Sequence, residues 1–513
     1  MTAATDAPAR RRLPPAGGKV PLTAARLLRL ELRHNVMPWL LPLIAVLFWF
    51  DSYRPSTGMP AYWVLRTFWN MGQGHTIVDF APFVAGAAAW MGSRDGRRGT
   101  ADLLTAAARP RWAVQLAAWS ATAIWAVGGY LVFVGVMFAL YAHQGVRGEP
   151  PWWWVVVGAA AVLAFSAAGF AVGALYPSRF AAPLAAFGAL LAMATSSQIG
   201  FSHTSGWAQI LPTNSNGNFQ PDSGLLYPWL PDLPIARIMF LAGIAVAALG
   251  LLGLPAAAGG PRLRRAAGVA TLAGLAAAGT AVALAGTARL GPHGLMIPAL
   301  HDAANDRPIA YIPDCAGTGF RVCLSPDYRS DLAHVTAALA PVVREVAGLP
   351  GAPVRAAQAP AIYSAGEGQG GQAMTISGHP PVLGMPLGAL GLPGAFGWTD
   401  GTAAGQLRLL FVHAFVGAGN GAGTPTQQTV QTALLQGAGL PIAMQPNLLG
   451  TVGLPSWAPA TGGPGPTSPL PAVGPVYAAA RRLAALPSAE WNAWLAAHLA
   501  ALRAGQLSLA QLP

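Results

Sequence analysis

The chain has 513 residues, of which 53% are hydrophobic and only 9% charged, where soluble proteins carry roughly a quarter charged. That balance excludes an ordinary soluble globular protein, and the length allows several domains. The formal net charge is +12, but the basic residues cluster at the ends of apolar runs, as orientation signals do, so no nucleic-acid partner is expected.

The first 20 residues are rich in Ala, Pro and Arg and include Arg10, Arg11 and Arg12. No apolar stretch follows directly, so they do not read as a signal peptide, and their composition favours a disordered tail. Residues 21–35 interleave Leu27, Leu28, Leu30 and Leu32 with Arg26, Arg29 and Arg33. The pattern predicts a basic interfacial helix on the inner membrane face. A helical extension of the first span fits it equally well.

Seven apolar segments follow, at about 36–50, 76–90, 112–141, 152–176, 180–197, 235–254 and 266–288. Each approaches the roughly 20 residues that cross hydrocarbon, the first two least closely. With the N-terminus inside, the inner segments hold Arg10 to Arg33, Arg94 to Arg111, Arg179, and Arg262, Arg264 and Arg265. The outer loops hold only Arg54, Arg66 and Arg147, with Arg237 on the border between an outer loop and the sixth segment. This asymmetry predicts a cell-membrane protein, a helical bundle of six to seven spans over 36–290 with a cytoplasmic N-terminus. Asp79, near the outer end of the second segment, is a candidate pathway residue, because acids inside a membrane mark transport routes. Its closeness to His75 supports the alternative of an acid at the outer interface.

Seven crossings then place residues 291–513 on the extracytoplasmic side. Strand-like runs at 309–312, 320–324, 354–356 and 374–376, and helix-like runs at 328–347, 401–416, 426–437, 475–485 and 489–504, suggest an α+β domain. Its two cysteines, Cys315 and Cys323, are the only ones in the chain. Gly317 and Gly319 between them can take the positive φ of a tight turn, so a disulfide closing a hairpin is expected, with two buried thiols as the alternative.

Catalytic motifs are missing. Gly17-Gly18-Lys19-Val20 lacks the spacing and the hydroxyl of a phosphate-binding loop. Any ATPase must therefore be another polypeptide. His413 lies in an apolar helical run, but Ala414 stands where a zincin has its Glu, and Gly417 where it has its second His. A core histidine is the favoured reading; an ectoenzyme based on His413 is the weakest. No Gly-x-Ser-x-Gly elbow is present. The expectation is a non-enzyme without cofactor or metal.

The loop at 92–111 carries Arg94, Arg97, Arg98, Arg109 and Arg111 between two apolar segments. Thr100 can cap a short helix, Asp102 suits its first turn, Leu103, Leu104 and Ala107 share one face, and Pro110 ends it. A basic loop with no partner is the plain reading.

The run Arg94-Asp95-Gly96-Arg97-Arg98-Gly99-Thr100-Ala101-Asp102-Leu103-Leu104, followed by Pro110-Arg111, resembles the first cytoplasmic loop of ABC-2 type transporter permeases. Asp95 replaces the more usual Glu. The resemblance covers about residues 21–288. It implies that Arg94, Asp95, Arg97, Arg98, Gly99, Thr100, Asp102, Leu103 and Leu104 form a coupling helix docking on a cytoplasmic ATPase subunit. It also implies a homodimer or heterodimer of permeases, in contact with membrane lipids, working as an exporter. The domain at 291–513 bears only a vague likeness to the outer domains of some actinobacterial relatives. The alternative function is a membrane-anchored binding or scaffold protein with a degenerate peptidase-like outer domain.

Overall fold

The computed structural model describes residues 24–52, 75–99, 110–143, 150–202, 206–210, 224–255, 260–291, 294–360, 374–387, 402–417, 423–441 and 474–513. Most of the described chain is helical, with a small region of sheet in its C-terminal part.

The N-terminal half runs α1 (Ala24–Arg33), α2 (Met37–Ser52), α3 (His75–Gly92), α4 (Arg94–Arg97), α5 (Arg111–His143), α6 (Trp152–Leu175), α7 (Ala181–Ser202), α8 (Gly206–Gln209), α9 (Asp232–Gly253) and α10 (Pro261–Gly286). Asn35 separates α1 from α2. Its Oδ1 accepts from the Met37 amide at 2.9 Å, and its Nδ2 donates to Thr122 Oγ1 at 2.9 Å. The extended first span is therefore interrupted, and α1 is an element of its own.

Among the described residues four helices are long and apolar enough to cross a membrane: α5, α6, α9 and α10. The other apolar helices are shorter, at Met37–Leu47, Phe80–Gly92 and Ala181–Ser196. Large apolar side chains face outward from several of them, including Trp39, Val132, Leu184, Phe187 and Leu272. This is the pattern of a membrane protein, whose outer surface needs no polar coat.

Small residues bring the helices together. A Cβ on Gly169 of α6 would meet the Ala85 carbonyl of α3, and one on Gly173 would meet the Ala89 carbonyl. Both sequences advance by four, so α3 and α6 run parallel with their backbones touching, as small-residue pairs permit. In the same way Gly243 of α9 abuts Gly274 and Ala278 of α10. Helix α6 buries residues around its whole circumference, which fits its even apolarity and its place at the centre of the bundle.

The C-terminal half opens with a hairpin of β1 (Arg289–Gly291) and β2 (Gly294–Met296). A five-stranded sheet follows: β3 (Asp314–Ala316), β4 (Arg321–Leu324), β5 (Arg355–Gln358), β6 (Thr375–Ser377) and β7 (Val382–Met385), in the order β3-β4-β5-β7-β6. The inner strands β4, β5 and β7 are parallel, and β3 and β6 pair antiparallel at the edges. Val322 and Leu324 alternate inward with Leu383 and Met385, the period-two pattern of a half-buried sheet. They meet α11 (Leu332–Val346), α12 (Thr402–Phe415), α13 (Pro425–Gly437), α14 (Pro475–Ala484) and α15 (Ser488–Arg503) in one hydrophobic core.

Helix α13 is buried despite its polar sequence, and Gln427 shows how. Its Oε1 accepts from the Thr424 amide at 2.7 Å, completing a capping box. Its Nε2 donates to the carbonyl of Leu502 at 3.0 Å and lies 3.3 Å from that of Val416. These carbonyls belong to the ends of α15 and α12, where helices leave acceptors unsatisfied.

One expectation needs correction. Residues 309–312 form no strand; the segment is irregular, Ile312 is 85% exposed, and Ile309 N donates to Leu226 O at 2.8 Å. Pro308 and Pro313 flank the segment, and proline cannot donate to a ladder. The inner strand β7, following Pro380 and Pro381, has no counterpart among the expected strands. Arg237, on the border of the sixth segment in the sequence, lies fully buried in α9. In addition, Leu225 and Leu226, which precede α9, belong to the core of the C-terminal domain.

Candidate functional site

Helix α3 ends at Gly92, where any side chain would run into the Phe170 carbonyl of α6. The chain turns at the buried Ser93, whose Oγ donates to Trp90 O at 3.1 Å. Arg97 folds back over α3. Its guanidinium carbon lies 3.5 Å from the centre of the Trp90 ring, Nη2 donates to Trp90 O at 3.0 Å, and Nε donates to Ser93 Oγ at 3.1 Å. Burial, followed by the charge of Arg98, lowers the pKa of Arg97. A side chain at Gly96 would collide with Pro177, which follows α6.

Arg94 points the other way. Its Nη1 and Nη2 each lie 2.9 Å from a different oxygen of Glu31 on α1. The planar guanidinium fork matches a carboxylate in this two-pronged geometry. Glu31 is only 4% exposed. The hydrogen bond from Glu31 raises the pKa of Arg94 above its ordinary value; burial opposes this, and the charges of Glu31 and Asp95 reinforce it. Arg94 Nε also donates to Asp95 Oδ1 at 3.3 Å. The entrance to the 92–111 loop is thus tied at once to α1, to α3 and to the end of α6.

Beyond this anchor Arg98 and Gly99 are exposed, and Gly99 takes a φ of +65°. Thr100, Asp102, Leu103 and Leu104, with the short helix expected there, lie outside the described residues. The backbone of Asp79 belongs to α3, while its side chain lies outside the described residues. Glu31 was missed in the sequence. The signal for it was a single acid in an otherwise basic amphipathic helix.

Two further ionisable residues sit within the apolar helices. Asp232, at the start of α9, is fully buried. Its Oδ2 accepts from the Ile297 amide at 2.9 Å and lies 3.1 Å from His301 Nδ1. His301 Nε2 in turn lies 3.2 Å from Asp306 Oδ2. Burial alone would lower the pKa of His301, but the hydrogen bonds and charges of Asp306 and Asp232 together raise it. One turn along α9, the buried Arg237 donates from Nε to Gln209 O at 2.8 Å, with its guanidinium 5.3 Å from the Trp154 ring centre. Asp232 fastens the chain after β2 to α9, and Arg237 fastens α8 to it. Both act as structural ties.

His413 is 1% exposed in α12, with Nδ1 3.4 Å from Gln431 Oε1 on α13. That is a histidine built into the core. Among the described residues no group of three or more His, Cys, Asp and Glu could hold a metal ion. Cys315 and Cys323 form a disulfide between directly paired positions of β3 and β4, with Cα atoms 4.1 Å apart. Gly317 and Gly319 both take positive φ in the turn. Compared with known proteins, the chain matches no protein-family model, no curated protein and no solved structure.

Proposed function

We propose that the chain is the membrane-spanning permease subunit of an ABC-2 type ATP-binding cassette transporter, working as an exporter. A separate cytoplasmic ATPase drives it through the segment 92–111. In this reading the N-terminus is cytoplasmic, six to seven helices cross the membrane, and the domain after Arg289 is extracytoplasmic. Permeases pair as homodimers or heterodimers.

One observation carries the reading beyond the sequence pattern. The root of the 92–111 loop is braced by Glu31, by Trp90 and by Pro177, on three different parts of the chain. A loop that only connected two helices would not need such bracing. A loop that receives force from an ATPase does, because movement must pass to α1, α3 and α6 together.

Replacing Leu103 and Leu104 with Asp tests the assignment. Co-purification with an ATPase partner, such as one encoded beside this chain, is expected to be lost while membrane insertion persists. Undiminished co-purification would remove the assignment and favour the second reading, a membrane-anchored outer binding module. That reading draws its support from the separate core and the disulfide of the C-terminal domain.

A further inference from the structure

Two apolar clefts lie side by side on α5. One, of about 630 Å³, opens between α2 and α5 and ends at Leu32 in the last turn of α1. The other, of about 520 Å³, reaches from Ser120 to Leu163 of α6. Ile124 and Gly128 line both. Each volume falls within the about 300–1,000 Å³ typical of small-molecule sites.

The first cleft owes its depth to particular residues. Pro38 and Pro42 form part of the α2 wall. A Cβ built on Gly128 would meet nothing within 4 Å, so this position opens into free space. Ile124 and Val132, which line the cleft on α5, are exposed, and α2 itself exposes Trp39 and Leu43. Beside hydrocarbon, such a surface is filled by acyl chains.

The charge at the α1 end is unbalanced. Arg26, Arg29 and Arg33 are exposed, whereas Glu31, the only acid of α1, is buried and bound to Arg94. Residues three or four apart on a helix are surface neighbours. Arg29 therefore adjoins both Leu32 and Arg33, at the point where the apolar cleft ends.

We propose that the two clefts bind an anionic phospholipid, its two acyl chains lying along α5 and its phosphate headgroup against Arg29 and Arg33. Basic residues at the mouth of an apolar groove between membrane helices are a recurrent means of holding such headgroups. The site requires only that α2 and α5 lie in a bilayer. It is independent of ATPase coupling, so the failure of either idea leaves the other standing.

Native mass spectrometry of the delipidated full chain tests the site, with phosphatidylglycerol and phosphatidylcholine of identical acyl chains added in equal amounts. The wild type is expected to retain phosphatidylglycerol at least about fivefold better, the factor expected for one arginine near an anionic headgroup. Arg29→Gln with Arg33→Gln is expected to bring the two lipids level. Gly128→Leu, which fills the cleft, is expected to reduce retention of both. Equal retention of the two lipids by the wild type would overturn the proposal, as would retention indifferent to Gly128→Leu. A wild-type dimer that Gly128→Leu dissociates would also overturn it, and would assign the face to a second copy of the chain. Size-exclusion chromatography reports whether Gly128→Leu folds. The exposed arginine pair decides the question alone if it does not.

Discussion

Glu31 and Arg94, 63 residues apart in the chain, meet in a two-pronged ion pair with both contacts at 2.9 Å. The pair joins a short amphipathic helix to the first residue of α4, and both side chains are largely shielded from water. Glu31→Gln leaves the Arg94 charge without its partner and is expected to cost about 1.5–3 kcal/mol, the range for hydrogen bonds to charged groups. Arg94→Lys keeps the charge but loses the fork and is expected to recover only part of that. Thermal unfolding of the purified chain measures the cost. Faster proteolysis at Arg97 or Arg98 in Glu31→Gln would show that the loop root has loosened.

The contact between α3 and α6 depends on Gly169 and Gly173, which face the carbonyls of Ala85 and Ala89. Gly173→Val is expected to destabilise by about 3 kcal/mol, the upper part of the range for overpacking, because a backbone cannot step aside as a side chain can. Gly188→Ala is the control. Nothing lies within 4 Å of a Cβ there, and removing a helical glycine is expected to stabilise by roughly 0.5–1 kcal/mol. A fluorescence-detected size-exclusion profile compares them, and an unchanged Gly173→Val profile would contradict the close parallel packing.

His301 makes the tie between α9 and the chain after β2 sensitive to pH. Its folded pKa is raised above the ordinary 6.5. Protonated His301 faces Asp232 and Asp306, so the stabilisation is fully present below about pH 6.5 and is lost as pH rises through the higher folded value. Thermal stability of the wild type is therefore expected to fall over that window relative to His301→Asn. Parallel curves for the two proteins would rule the effect out.

The Cys315–Cys323 bond closes a short hairpin. Cys315→Ser with Cys323→Ser is expected to cost about 2–3 kcal/mol by the chain-entropy account. Maleimide is expected to label the denatured, unreduced wild type only after reduction. Labelling without reduction would mean that the thiols are free.

The sequence by itself determined the helices of the apolar half, within a few residues at most ends. Their apolar runs stand out from the polar segments that flank them, and apolar length is a local property that no distant contact needs to supply. It also determined the hairpin at Cys315, where two glycines and two cysteines lie within nine residues. Strand β7 and the loss of the expected strand at 309–312 were decided by the tertiary structure, because short strands exist only through their neighbours. The same holds for Gln427, Arg237 and Asp232, whose polar atoms look costly in the sequence until the facing carbonyl, amide or imidazole is in place. The brace at the loop root was divided in the same way. The arginines of 92–111 were legible because they cluster, but Glu31 was not, since its meaning comes from a partner 63 positions away that only the folded chain brings within hydrogen-bonding distance.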